Sequence, residues 1–367
     1  MEIKKMNIEG LHGKSDIEIS FERDLTVLTG RNGSGKTNVL KLLWYMISPN
    51  LERAVAEIDF NCARLLTDKY SVEVSRSDQY VVFQSREDSF AFDSRNGSRD
   101  AGLPSRMMTV KRHRLSELDP EWEFNLENAN RCIRNLHTSS LFFPTYRRIE
   151  ERAMRPRGEA YELKRAIEDY SKRISVDNHR LIASISTSDV KDLIVGEYAN
   201  LSEKALSLRE DLLKEIVSIA SQGDVPKSGA EERLKRISST IEQANKKQSD
   251  LFSPYEKMQE MVAHFMRGKS VRISNSISLG DFEEIISADS LSAGEKQILS
   301  FLAFNAFFRN SPIIIDEPEL SLHVDWQRTL MPTLLGQGSS NQIVVATHSP
   351  FIYSRYPEKE IELGRRG

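Results

Sequence analysis

The stretch Gly30-Arg31-Asn32-Gly33-Ser34-Gly35-Lys36-Thr37 constrains this chain more than any other. An apolar run, Leu25 to Thr29, precedes it, and a segment of helical pattern, Lys36 to Ile47, follows and is ended by Pro49. The apolar run is expected as a strand buried in a parallel sheet. The spacing G-x-x-x-x-G-K-[ST] belongs to loops whose backbone N–H groups wrap phosphates. Glycines allow the left-handed turns that this requires, and the helix N-terminus adds a dipole that favours anions. Gly30 to Thr37, with Asn38 behind them, are therefore expected to bind the phosphates of ATP. Lys36 supplies a charge to the β and γ phosphates, and Thr37 offers a hydroxyl to Mg²⁺. A plain glycine-rich turn would not explain the strand before it and the helix after it.

A second apolar run, Pro312 to Ile315, ends in Asp316-Glu317-Pro318. Ligands sit at the carboxyl ends of parallel strands. Asp316 is expected to hold Mg²⁺, directly or through water, and Glu317 to polarise an attacking water as general base. Taken alone, such a run is an ordinary strand-to-turn junction; paired with the phosphate loop it reads as the catalytic end of an ATPase. Lys36 and Glu317 are the catalytic residues expected from these two motifs.

Three further motifs narrow the class. Leu291-Ser292-Ala293-Gly294-Glu295-Lys296-Gln297 opens a helix, with Ser292 as N-cap and Glu295 placed as in a capping box. Glu319-Leu320-Ser321-Leu322-His323 follows the two carboxylates, and Thr347-His348-Ser349 follows the apolar run Gln342 to Ala346. In this order the motifs resemble those of ABC-type P-loop ATPases, and within them the SMC, RecF and OLD-like group. The resemblance implies that Ser292, Gly294 and Glu295 complete the nucleotide site of another copy, so the chain works as a homodimer or a higher multiple of dimers. It implies also that Glu319 to His323 cross the dimer seam and that His348 contacts the γ-phosphate. Ala293 stands where the family more often has glycine.

Asp316 to His323 followed by Trp326-Gln327, and Phe143-Pro144-Thr145-Tyr146-Arg147-Arg148, resemble OLD-like ATPases of the AAA family. That likeness implies an ATPase subunit that controls a separate effector, a nuclease or toxin, in anti-phage systems such as Septu-like, PARIS-like and retron-associated modules. The alternative is a RecF- or SMC-like ATPase of DNA repair. The sequence ends about 20 residues after His348, so no TOPRIM nuclease domain is expected. Of the seven histidines, His12, His113, His137, His179 and His264 form no metal-binding pair, so no intrinsic nuclease is expected. A Q-loop equivalent is sought in Pro144 to Arg148, with Gln84 as the other candidate.

The expected fold is α/β: an ABC-ATPase head with a mostly parallel sheet, an antiparallel β-lobe and an inserted helical lobe. Alternation at Tyr70, Val72 and Val74, then Tyr80 and Val82, marks the antiparallel lobe. Helical spacing over 201–220, breaks at Gly223, Pro226 and Gly229, and helices at 230–247 and 254–266 mark the helical lobe, with helices of about 40 Å. The parts expected are 1–146, 147–268 and 269–367.

Net charge of −3 leaves nucleic-acid contact to local basic clusters, Arg106 with Lys111 to Arg114, and Arg147 to Arg165. The second is diluted by glutamates, and DNA or RNA contact stays open. Cys62 and Cys132 have no metal-ligand spacing and suggest no disulfide framework. No run approaches the roughly 18 apolar residues of a membrane span, so a cytoplasmic protein without membrane contact is expected.

Overall fold

The computed structural model describes residues 1–13, 15–86, 91–93, 120–145, 148–149, 159–185, 187–221, 227–265 and 291–364. They form two compact units. The first comprises Met1–Ile185, Phe308–Pro332 and Ser340–Gly367; the second comprises Ser186–Phe307 and Thr333–Ser339.

The first unit begins with β1 (Ile3–Leu11), β2 (Ser15–Ser20) and β3 (Leu25–Gly30), then α1 (Lys36–Ile47) and α2 (Leu51–Glu57). Next come β4 (Cys62–Thr67), β5 (Tyr70–Ser75), β6 (Tyr80–Ser85), β7 (Ala91–Asp93), α3 (Pro120–Asn135) and β8 (Ser140–Phe143). It continues through β9 (Arg148–Ile149), α4 (Glu159–Ile174), β10 (His179–Leu181) and β11 (Ser184–Ile185).

Two six-stranded sheets result. The antiparallel one runs β2-β1-β4-β5-β6-β7 and realises the alternation seen in the sequence. The other has the order β10-β8-β12-β13-β3-β14, where β12 is Pro312–Asp316, β13 is Gln342–Ala346 and β14 is Glu360–Leu363. Every pairing in it is parallel. β8, β12 and β13 are buried along their whole length, as strands covered on both faces must be. α1 packs across this sheet, with Trp44 fully buried and its ring 5.7 Å from that of Phe142.

The two sheets share one core. They are also stitched by one side chain. Gln342 of β13 accepts the Ile3 N–H at 2.7 Å and donates to the Ile3 and Glu22 carbonyls, both at 2.8 Å.

The second unit holds α5 (Thr187–Ser221), α6 (Lys227–Phe265) and α7 (Ala293–Phe307). The sequence suggested two helices in place of α6, yet Pro254 lies inside one continuous helix. A proline removes one ladder hydrogen bond, and packing offsets that loss here: Tyr255, Met258 and Val262 are buried, and the Tyr198 ring of α5 lies tilted 5.1 Å from that of Tyr255. At 35 and 39 residues these helices span about 53 and 59 Å, longer than the sequence suggested. The helical lobe also starts later than residue 147. Residues 159–185 belong to the sheet unit, because β10 pairs with β8 and Ile174 and Leu181 join its core. Among the described residues no helix is long and apolar enough to cross a membrane.

Gln342→Leu keeps the volume but leaves the buried backbone groups of Ile3, and the partly buried Glu22 carbonyl, without this partner. We expect a loss of about 2–4 kcal/mol, read as a lower urea midpoint of unfolding at unchanged slope. An unchanged midpoint would show that the stitch contributes nothing.

Candidate functional site

The parallel register fixes the site. Asp316 lies beside Ala346, and Ala346 beside Leu28, so the carboxyl ends of β12, β13 and β3 are neighbours. β8 joins them, with Phe143 beside Ile315. Each of these strands therefore hands its following loop to the same edge of the sheet.

After β3 the chain turns through Gly30, Gly33 and Gly35, with φ of +137°, +80° and +93°. A Cβ at Gly30 would lie 2.5 Å from the Leu363 carbonyl oxygen of β14, so this position has no room for a side chain. At Gly33 a Cβ would touch nothing within 4 Å; here the left-handed backbone alone favours glycine. A cavity of about 500 Å³ opens over this loop. Asn32, Gly33, Ser34, Gly35, Lys36, Thr37 and Asn38 line it together with Glu317, His348 and His12. Gly30 and Arg31 lie at the root of the loop, and their carbonyls accept hydrogen bonds from Lys36 Nζ at 3.0 and 3.4 Å.

Lys36, Glu317 and His348 meet in this cavity although they are more than 280 positions apart in sequence between the first and the others. Lys36 Nζ is 2.8 Å from His348 Nε2, which is 3.9 Å from Glu317 Oε1. With the lysine as donor, the imidazole nitrogen facing it accepts. Burial lowers the Lys36 pKa, partly offset by Glu317, Asp316 and Glu319. Burial raises the Glu317 pKa, Asp316 and Glu319 add to the rise, and His348 and Lys36 oppose it. Glu317 also sits at φ 48°, a conformation that side chains rarely adopt, while its N–H extends the ladder to the Ala346 carbonyl at 2.8 Å. A carboxylate held this way is biased toward accepting a proton.

Asp316 is fully buried, and the Thr145 hydroxyl donates to its Oδ2. Thr145 belongs to the Pro144–Arg148 segment, and through it that segment reaches the site. Tyr146 and Arg147, and the side chain of Arg148, lie outside what is described. Gln84 is on β6 of the antiparallel sheet. The basic cluster at Arg106 to Arg114 lies outside the described residues, as do the side chains of 147–165.

Ser292, Gly294 and Glu295 belong to the second unit and are absent from the cavity lining. The expected capping box is present: Ser292 N–H and Oγ–H donate to Glu295 Oε2 at 2.7 and 2.9 Å, and Glu295 N–H returns to Ser292 Oγ at 3.4 Å.

Sequence reasoning did not single out His12. It sits in the β1–β2 turn at φ 53°, and its Nε2 is 2.5 Å from Asn38 Nδ2. No spacing rule links residue 12 to residue 38; only the folded hairpin brings it over the loop. The roles of Glu319 and Gln327 were also hidden. Glu319 Oε1 accepts the N–H groups of His348 and Ser349 at 2.7 and 3.1 Å, and Ser349 Oγ donates to Gln327 Oε1 at 2.6 Å. Leu320 and His323 are exposed.

The donor set fits a triphosphate with a divalent cation. Lys36 carries the charge, and Thr37 and Asp316 offer hard oxygen ligands. Ser34 Oγ is buried and finds no partner among the described residues.

A family model described as an AAA ATPase domain matches residues 1–353, and the chain belongs to that family. Over 48 residues, 13% of this chain, it is 40% identical to the DNA replication and repair protein RecF of Desulfitobacterium hafniense. Over 203 residues, 51% of this chain, it is 24% identical to the Retron Ec83 probable ATPase of Escherichia coli. The matches span only 13% and 37% of those relatives' own lengths. Among solved structures it is similar to the Smc head domain of Pyrococcus furiosus bound to the C-terminal domain of ScpA, with TM-score 0.37, 13% identity, and 96% and 91% of the two chains covered. The SMC head domain of Thermotoga maritima gives TM-score 0.39 at 11% identity, with 96% and 92% covered.

A carboxyl whose folded pKa is raised costs stability once ionised in both states, and this cost vanishes below the unfolded carboxylate range. Glu317→Gln is therefore expected to raise Tm at pH 7, with the gain shrinking as pH falls through that range. A lower Tm at pH 7 would contradict the burial-driven shift.

Proposed function

We propose that this chain binds ATP with Mg²⁺ and hydrolyses it at a site completed by a second copy. The convergence of Lys36, Glu317 and His348 in one cavity over the glycine loop carries this reading. The backbone N–H groups of Gly30 to Thr37, with Asn38 beside them, hold the phosphates, and Lys36 balances their charge. Mg²⁺ held by Thr37 and Asp316 would neutralise charge on the β and γ phosphates. Glu317 takes the proton of the water that attacks the γ-phosphorus, and the bond to the ADP oxygen breaks as the new one forms. His348 steadies the γ-phosphate oxygens as their charge grows. Ser292, Gly294 and Glu295 reach the γ-phosphate of the partner copy from the start of α7, where the helix dipole favours anions.

The proposed cellular role is control of a separate effector, a nuclease or toxin, in bacterial defence against phage. The likeness to the retron ATPase over half of this chain supports it. The helical unit offers a surface for that effector, since Leu206, Leu213, Val217, Leu234 and Ile241 stand exposed on α5 and α6. The second reading is a DNA-repair ATPase, favoured by the short RecF-like segment. DNA-stimulated hydrolysis would select it over the first.

Lys36→Ala is expected to lower ATP affinity at least tenfold by calorimetry, and Glu317→Gln to accumulate an ATP-bound dimer visible by light scattering. Mixing Lys36→Ala with Ser292→Arg protein leaves one intact composite site in each mixed dimer. Random pairing and independent sites predict recovery of about a quarter of the wild-type rate. Mixtures that never exceed the sum of the two variants would rule out a composite site.

A further inference from the structure

Glu319 stands two residues beyond Glu317, yet its carboxylate turns back to a different strand end. Its Oε1 accepts the backbone N–H groups of both His348 and Ser349, at 2.7 and 3.1 Å. Its Oε2 is buried and makes no hydrogen bond among the described residues. A buried carboxylate oxygen without a partner is costly, so the group is held here for what Oε1 does. The same turn is held from a second direction. Ser349 Oγ donates to Gln327 Oε1 at 2.6 Å, and Gln327 Nε2 donates to the Leu322 carbonyl at 2.9 Å. The segment 319–327 thus grips the turn after β13 at two consecutive residues, through one side chain from each end of the segment. The imidazole carried by that turn is the one that meets Lys36 at 2.8 Å and Glu317 at 3.9 Å.

We propose that Glu319 is a positioning residue: assisted by Gln327, it ties the segment after Glu317 to the Thr347–Ser349 turn and so sets where His348 meets the γ-phosphate. Any displacement of the 319–323 segment is transmitted to His348 through two hydrogen bonds to one oxygen. The alignment of the imidazole then depends on where that partly exposed segment rests. This assignment depends on the catalytic reading of His348 given above.

The test is a double-mutant cycle on steady-state ATP hydrolysis with Glu319→Ala, Glu319→Gln, Gln327→Leu and His348→Ala. Glu319→Ala is expected to lower kcat at least tenfold while KM for ATP changes less than threefold, because the phosphate loop is untouched. Glu319→Gln keeps an acceptor oxygen and should recover kcat to within about threefold of wild type. Gln327→Leu should lower kcat in the same direction with KM held, which covers the case in which Glu319→Ala fails to fold. In the His348→Ala background, Glu319→Ala should have no further effect. Full additivity of the two substitutions, a wild-type kcat for Glu319→Ala, or no rescue by glutamine would overturn the positioning role. A wild-type kcat for His348→Ala would instead overturn the reading of His348 itself, and the two failures are told apart by that single variant.

Discussion

The in-register parallel pairing of β12 with β13 and of β13 with β3 is the constraint on which the rest depends. Parallel strands point one way, so their loops emerge at one edge and share one space. The phosphate loop, the Asp316-Glu317 pair and the His348 turn are local motifs. Only this register makes them one site. A shift by one residue in any of the three strands would move a loop by about 3.3 Å and reverse the strand's faces. Full burial of β12 and β13 makes such a shift costly.

Charge concentrates at that edge, and its balance is internal. Glu317, Asp316 and Glu319 all favour the charged form of Lys36, and Asp316 and Glu319 raise the proton affinity of Glu317. Burial of Glu317 makes ionisation costly, while Lys36 and His348 favour it. The result is a carboxylate whose proton affinity is set by position rather than by residue type. Strain accompanies it, since Glu317 occupies a left-handed backbone conformation. A second carboxylate, Glu319, is spent on backbone N–H groups of the His348 turn. The acidic run after β12 thus divides its labour: Asp316 is locked by Thr145, Glu317 faces the cavity and Glu319 faces the protein.

The helical unit is stabilised by its own polar and apolar contacts. Asn305 donates to the Leu334 carbonyl at 2.8 Å, Gln337 donates to the Leu302 carbonyl at 2.9 Å, and Ser339 donates to Asn305 at 3.1 Å. These bonds satisfy buried polar groups that would otherwise be costly. They attach the 333–339 segment to α7, whose start bears the Ser292–Glu295 capping box. The signature residues therefore begin a helix anchored within the helical unit, while the phosphate loop belongs to the sheet unit.

Local chemistry was legible in the residues themselves. Gly30 to Thr37, Asp316-Glu317 and the Ser292–Glu295 box each announce their conformation through side-chain type at short spacing, because turns, caps and buried strands are decided over a few residues. The alternation at Tyr70 to Val82 likewise revealed the antiparallel strands. Long-range pairing was not legible. Nothing local shows that Gln342 stitches Ile3, that β10 draws residues 159–185 into the sheet unit, or that α6 runs unbroken through Pro254. Nor does spacing reveal His12 over the phosphate loop or Glu319 under the His348 turn. Those contacts join residues 26 to 339 positions apart, and only burial against the whole sheet, which no short window contains, decides which of the many available partners each group takes.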